Sequence, residues 1–271
     1  MPPKTVPIHG NYHGYYSKRV TDAEGDVRLA LLPPDLFADK RVLDVGCNEG
    51  WVTCEIAQTR HAREVVGVDI DPELVSLAWK RRKLLWSTQA PIRSGKRKRD
   101  TDEPELASLD PHYFPAAMHH IFGPLSVPPA RTEDEKTRFP HNVAFVSADW
   151  VNNGCPAFDA QGYDVVLALS VTKWIHLNDG DEGIRAFFTR VLAALREGGT
   201  FVLEIQPWDS YAKARRMHPK LKENSAKLQL RPDAFGDVLK EVGFIEDEFL
   251  GVPGEGGFAR PLRMYTKAPL S

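Results

Sequence analysis

The sequence predicts an α/β fold built around a mostly parallel sheet, and two observations carry that expectation. Apolar runs of strand length alternate with amphipathic segments of helix length between residues 41 and 205. The first of these runs leads directly into a glycine-containing turn, Gly46-Cys47-Asn48-Glu49-Gly50, that opens a helix.

In chain order, a strand at Arg41 to Val45 is followed by a helix at Trp51 to Thr59 and a strand at Glu64 to Asp69. Pro72 to Leu85 reads as a helix because a proline stands in its first turn behind Asp71, which serves as cap. Strands follow at Val143 to Ala148, Tyr163 to Leu169 and Thr200 to Ile205. A helix at Asp181 to Arg196 is stopped by Gly198-Gly199. Parallel strands joined in this way imply right-handed crossovers. A helix near Pro232 to Val242, a strand at Ile245 to Leu250 and a strand at Pro261 to Thr266 complete seven strands, the last two forming a hairpin-like pair. Ser87 to Phe139 breaks the pattern with seven prolines, dense charge and no sustained period. It reads as a disordered insertion, residues 87–139, within one domain spanning residues 1–271.

Composition excludes several classes of protein. Thirty-five Lys and Arg against 37 Asp and Glu leave a net charge of -2, so any nucleic-acid contact must use local basic patches rather than the whole molecule. Cys47, Cys54 and Cys155 are too few for a disulfide framework and none forms a C-x-x-C pair, which predicts a reducing compartment and no metal site. The longest strongly apolar stretch, Val165 to Leu169, is far short of the roughly 20 residues of a membrane span, so a soluble, intracellular protein is expected.

The cofactor reading starts at Asp44, which lies in the first strand ahead of a D-x-G-x-x-x-G turn. Dinucleotide folds use G-x-G-x-x-G to bring a pyrophosphate onto a helix N-terminus, and the spacing here fits that fingerprint poorly. An acid at a strand tip repels pyrophosphate but suits the ammonium and sulfonium of S-adenosylmethionine. Asp69 ends the second strand, 23 residues after Gly46, where a carboxylate accepts both ribose hydroxyls, with Ile70 flanking the adenine. Asp149 and Trp150 end the third strand and suit an adenine amino group and ring face. Taken singly, such an Asp is a cap and such a Trp is core; jointly they favour adenosylmethionine.

Three further stretches carry a resemblance. They are Gly10-Asn11-Tyr12-His13-Gly14-Tyr15-Tyr16-Ser17-Lys18-Arg19, Leu169-Ser170-Val171-Thr172-Lys173-Trp174-Ile175-His176 running on to Gly183, and Leu203-Glu204-Ile205-Gln206-Pro207-Trp208-Asp209-Ser210-Tyr211. With the cofactor turn, the sequence resembles the methylphosphate capping enzymes, the Bicoid-interacting RNA methyltransferases. The similarity covers almost the whole chain outside the insertion. It implies a class I S-adenosylmethionine-dependent methyltransferase fold and methylation of the 5′ phosphate of a small non-coding RNA, either a triphosphate or a monophosphate end, with the γ-phosphate of a triphosphate favoured. It assigns Tyr16 and Arg28 to the methionine end of the cofactor and Gly46, Cys47 and Asn48 to the loop beneath it. Asp69 and Ile70 then hold ribose and adenine edge, Asp149 and Trp150 the base, and Leu169 a backbone contact. Tyr15, Arg19 and Lys173 are assigned to the RNA 5′ phosphate. Trp150 stands where tyrosine is more usual, and Ile205 interrupts a commoner Glu-Pro-Gln-Pro-Trp pattern.

The residues agree with such chemistry. Methyl transfer to an already anionic phosphate oxygen is a positioning problem that needs no general base, and a few fixed cations serve it better than a metal. Lys173 follows the fourth strand at the carboxyl edge of the sheet, where ligands bind in open α/β folds. His176 either touches phosphate or satisfies backbone groups of its loop. Tyr12, Tyr15 and Tyr16 form either an aromatic cluster or a lid over cofactor and RNA end. Lys213, Arg215 and Arg216 head a basic stretch placed to track an RNA backbone. Lys96-Arg97-Lys98-Arg99 is either a nuclear-import signal or a solvated charge run, and the nucleus, with the cytoplasm second, is the expected location. A monomer with possible ribonucleoprotein partners is expected. Two other functions fit parts of the pattern: methylation of a protein or metabolite, which does not need the basic stretch, and non-catalytic RNA chaperoning, which does not need Asp69.

Overall fold

In the computed structural model, residues 6–16, 19, 25–88 and 121–269 are described. Seven strands form one sheet: β1 (Arg41–Val45), β2 (Glu64–Asp69), β3 (Val143–Ser147), β4 (Tyr163–Leu169), β5 (Leu195–Glu204), β6 (Phe244–Gly251) and β7 (Leu262–Lys267). Their order is β3-β2-β1-β4-β5-β7-β6. The first five are parallel, and β7 runs antiparallel to both β5 and β6. The expected closing pair is therefore real, with the final strand inserted beside β5 and the penultimate one at the edge.

Alternation along the strands builds a core on each face of the sheet. Leu43, Val66 and Val166 face one side, against Phe187, Phe188, Val191 and Phe235. Val42, Val65 and Val165 face the other, against Val52, Ile56, Ala57 and Phe37. Strands buried on both faces read as continuous apolar runs, which is why they were legible in the sequence.

The helices that position the site are α1 (Trp51–Thr59), α2 (Pro72–Thr88), α3 (Thr172–Ala194), α4 (Pro219–Ser225) and α5 (Phe235–Val242). Two differ from expectation. Helix α3 starts nine residues before Asp181 and is broken at Gly180, whose φ of 74° and ψ of -168° are not helical. The segment Thr172–Asp179 is therefore helical, although its polar residues give no apolar period. Helix α2 continues to Thr88, and residues 121–139 return against it: Leu125 N donates to Ser87 Oγ at 2.7 Å, and Arg82 Nε donates to Pro140 O at 2.7 Å. Both ends of the 87–139 insertion are thus fastened to α2. Its expected disorder over residues 89–120, and the Lys96 to Arg99 run, lie outside the described residues. No described helix is long and apolar enough to cross a membrane.

Candidate active site

The strand order reverses between β1 and β4, and ligands bind outside the carboxyl ends of strands at such a switch point. Two connected cavities lie there, of about 330 and 620 Å³, sharing His9, Gly46, Asp69, Val171 and Trp174 in their walls. Together they make one cleft.

The loop after β1 forms its floor. Gly46 has a φ of 76°, in the left-handed region that glycine adopts without strain, and it packs against Val171 on the facing loop. Asp69, only 8% exposed, accepts from Asn48 N at 2.9 Å and from Asp71 N at 3.0 Å, and its carboxylate borders both cavities. Burial raises its pKa, with the backbone donors opposing. The side-chain oxygens of Asn11 and Asn48, both in residues lining the larger cavity, are buried without a partner. An acid placed for a diol, a glycine floor and unpaired acceptors fit the polar adenosine and methionine groups of the expected cofactor.

The structure sorts the predicted cofactor residues. Gly46, Asp69, Ile70 and Asp149 line the smaller cavity, and Tyr16, Asn48 and Leu169 the larger one. Asp44 does not: it is 3% exposed beneath the loop and accepts from Thr53 Oγ1 at 2.6 Å. Burial pushes its pKa up to about 6, against the Thr53 hydrogen bond. It braces the turn rather than presenting charge to the cleft. Cys47 also faces inward, its thiol pushed up by burial and by Asp69 and Asp44. Trp150 borders the smaller cavity, with its indole Nε1 donating to Asp159 at 3.0 Å and its ring packed edge-on to Phe187, so the indole is anchored in the core behind that wall.

Arg28 and Arg19 lie directly behind the wall of the larger cavity. Arg28 is wholly buried, giving Nη2 to Asp26 at 2.6 Å and to Tyr16 Oη at 3.1 Å and Nη1 to Glu204 at 3.0 Å. Arg19 pairs with the other Glu204 oxygen and donates to Tyr15 Oη at 2.9 Å, leaving its side chain 3% exposed. These two arginines anchor Tyr16 and Tyr15, which line the cleft; they do not line it themselves. Although burial raises the pKa of Glu204, Arg28, Arg19, the Ser170 hydrogen bond and Arg260 together hold it below the usual carboxylate range.

Lys173 borders the larger cavity together with Tyr15, Ser170, Lys213 and Arg260. Its backbone N donates to Gln206 Oε1 at 3.0 Å, and Gln206 Nε2 donates to Ser170 O at 2.6 Å, so the glutamine after β5 cross-braces the loop after β4. Burial first, then Arg260 and Lys213, push the Lys173 ammonium down to about 8. Lys213, Arg215 and Arg216 are exposed, and of these three only Lys213 reaches the cavity wall. His176 is fully buried, with Nδ1 at 3.1 Å from Tyr211 Oη and Nε2 at 2.7 Å from Asp181. It ties α3 together across the Gly180 break and packs edge-on to Tyr211 and Phe235.

The N-terminal arm covers the cleft. Asn178 Nδ2 donates to Ile8 O at 2.8 Å, Asn48 Nδ2 to Tyr12 O at 3.2 Å, and Asn11 Nδ2 to Asp71 at 2.7 Å. Gly10 lies flat on Trp174, where a Cβ would come within 2.1 Å of the indole nitrogen. Residues 8–16 thus lie over the cleft, and their tyrosines also pack as an aromatic cluster, Tyr15 edge-on to Tyr16 and Tyr12 edge-on to Trp174.

Sequence reasoning missed Arg260, Ser170, Glu204 and Gln206 as site residues. Ser170, Glu204 and Gln206 stood inside quoted motifs but were given no role. Arg260 carried no signal: it precedes the last strand, and only the antiparallel insertion of β7 next to β5 brings it to the cleft.

This strand order and this cleft define a class I S-adenosylmethionine-dependent methyltransferase fold. The N-methyltransferase NodS from Bradyrhizobium japonicum, in complex with S-adenosyl-L-homocysteine, shares it at a TM-score of 0.51 and 13% identity, over 93% of this chain and 95% of that one. A methyltransferase-domain family matches residues 42–120, and the Bicoid-interacting protein 3 (Bin3) family matches residues 163–267. The 7SK snRNA methylphosphate capping enzyme of Mus musculus is 38% identical over 271 residues, 96% of this chain and 40% of that protein. The chain thus spans about two fifths of that relative's length. The U6 snRNA methylphosphate capping enzyme of Drosophila melanogaster is 32% identical over 269 residues, 96% of this chain and 75% of that protein. The chain belongs to the Bin3 family of methyltransferases, which includes methylphosphate capping enzymes.

Proposed function

We propose that this chain transfers a methyl group from S-adenosylmethionine to the 5′ phosphate of a small non-coding RNA, with a triphosphate end as the preferred acceptor. The observation that carries this reading is the continuity of the cleft. One end is bordered by Asp69, Ile70 and Asp149, and the other by Lys173, Lys213, Arg260 and Tyr15. A cationic wall next to a diol-binding acid suits an anionic acceptor better than an amine or a thiol.

When bound, the cofactor supplies an electrophilic methyl on a sulfonium. The protein supplies position. A phosphate oxygen is already charged, so no side chain has to remove a proton. Consistent with this, His176, the histidine of the Lys173 helix, is engaged at both nitrogens inside the fold. Lys173 and the Tyr15 hydroxyl border the place where an acceptor oxygen must be held, and holding of this kind is worth up to roughly 7–11 kcal/mol. The arm over residues 8–16 limits access of water. Lys222 on α4, with Arg215 and Arg216 before it, is exposed and extends a phosphate-tracking surface, whereas Lys220 lines the smaller cavity. A monomer is the proposed working unit. The nucleus is its proposed location.

The test is methyl incorporation from labelled S-adenosylmethionine into one RNA carrying a 5′-triphosphate, 5′-monophosphate or 5′-hydroxyl end. Incorporation that requires a 5′ phosphate is expected. Incorporation indifferent to the 5′ end would overturn the reading, and tight RNA binding without incorporation would indicate a chaperone.

A further inference from the structure

Charge is unevenly matched around the larger cavity. Behind its wall, Asp26 and Glu204 neutralise Arg28 and Arg19. On its wall stand Lys173, Lys213 and Arg260, and none of these has a carboxylate within ion-pair distance among the described residues. Arg260 is only 8% exposed, yet every hydrogen-bond partner recorded for it is uncharged. Nε donates to Gly257 O at 3.0 Å, and Nη1 to Ser170 Oγ at 2.5 Å and Tyr15 Oη at 3.2 Å. A buried guanidinium held by neutral oxygens and the face of Phe258, which feels Glu204 only across Ser170, is expensive without an anion in direct contact.

Ser170 is built to aim it. Its φ of 67° puts a non-glycine residue in the left-handed region immediately after β4, a conformation found where surrounding structure enforces it. There the hydroxyl donates to Glu204 and has its lone pairs left to accept from Arg260. The Glu204 carboxylate thus fixes the direction of the serine proton, and the serine fixes the guanidinium.

We propose that Arg260 is a specificity-determining residue that contacts phosphate at the RNA 5′ end, with Ser170 as its positioning residue. The inference rests on the reading of the cleft as a 5′-phosphate methylation site. Each phosphoryl group added to an end brings further negative charge. Lys173 and Lys213 suffice for a short anion, and the third cation rewards a longer one. Arg260 therefore sets the preference for a triphosphate over a monophosphate end.

The experiment compares kcat/KM for triphosphate and monophosphate forms of one RNA in wild type, Arg260→Gln, Arg260→Lys and Ser170→Ala. Cofactor affinity is measured alongside by calorimetry with S-adenosyl-L-homocysteine. Loss of one charge-assisted contact predicts that the triphosphate preference falls about 10-fold or more in Arg260→Gln. Arg260→Lys should keep most of the preference, Ser170→Ala should lose part of it, and cofactor affinity should stay within about threefold. Equal loss on both substrates in Arg260→Gln, with cofactor binding intact, would show Arg260 to be a brace between arm and loop and overturn the proposal. Where Arg260→Gln no longer binds cofactor, Arg260→Lys and Ser170→Ala decide: an unchanged preference in Ser170→Ala alongside its collapse in Arg260→Lys overturns the aiming scheme. Wild-type protein that methylates no 5′ phosphate would overturn the underlying reading instead, which separates the two failures.

Discussion

Glu204 accepts from Arg28 Nη1 at 3.0 Å with both side chains fully buried, and its second carboxylate oxygen pairs with Arg19. One carboxylate at the tip of β5 thereby ties the start of the described chain to the centre of the sheet. Neutralising it leaves the buried Arg19 without a carboxylate and Arg28 with Asp26 alone. Glu204→Gln should cost about 3–5 kcal/mol in urea unfolding. The sign with pH follows from the lowered pKa values of Glu204 and Asp26. Their contribution is present above the ordinary carboxylate range and is lost as pH falls through the folded values. A change below about 1 kcal/mol in the variant would show that this pair carries little of the fold.

Asp69 and Trp150 should separate cleanly in cofactor binding. Asp69 borders both cavities, so Asp69→Ala should weaken S-adenosyl-L-homocysteine at least about 10-fold by calorimetry, the loss expected for hydrogen bonds to a charged group. Trp150→Phe removes the Nε1 donor to Asp159 in the core. It should lower stability by about 1–3 kcal/mol while leaving affinity within threefold. Weakened affinity in a well-folded Trp150→Phe protein would show the indole to be a base-contacting group.

Lys173 has a folded pKa near 8, below its ordinary 10.5, because burial and two neighbouring cations disfavour its charge. Between those values the unfolded chain binds more protons, so stability rises with pH across that window. At pH 7 the charged amine is a burden to the ligand-free fold, and Lys173→Met should raise the melting temperature while depressing turnover. For the wild type, kcat/KM for RNA should decline above about pH 8 as the free enzyme loses that charge. In Lys173→Arg the decline should move to higher pH. A decline at the same pH in both proteins would assign it to another group.

Arg215 and Arg216 are exposed and lie off the cavity wall, whereas Lys213 lies on it. Replacing the two arginines with glutamine should weaken RNA binding and reduce its salt slope by roughly one to two, with turnover at saturating RNA retained. Lys213→Gln should instead affect turnover. Identical profiles for the two proteins would remove the distinction between RNA body and RNA end.

Replacing residues 89–120 with a short Gly-Ser linker should preserve methyl transfer, since the described cleft residues all lie outside it. Extending the replacement through residue 139 should lower stability, because Leu125 is hydrogen-bonded to α2 and Phe139 packs against the core. An inactive but folded 89–120 variant would give that segment a part in catalysis.

The sequence by itself determined the parallel sheet, because strands buried on both faces must be continuously apolar, and it determined the crevice acids, because they close strands that were already evident. Gly46, Asp69, Ile70 and Asp149 were legible for that reason, and Lys173 through its place after β4. The sequence could not show which way a side chain turns at a strand end. Asp44, Cys47, Arg28 and Arg19 stood in the right motifs, yet each turned inward, to Thr53, into the core, and to Glu204, because a buried polar group must find its partner in the fold. Arg260 is the converse case. It lies 90 residues beyond Ser170 in the chain, and its guanidinium reaches the serine hydroxyl only because β7 pairs with β5. Local pattern records what a residue needs, but only the tertiary structure supplies the neighbour that satisfies it.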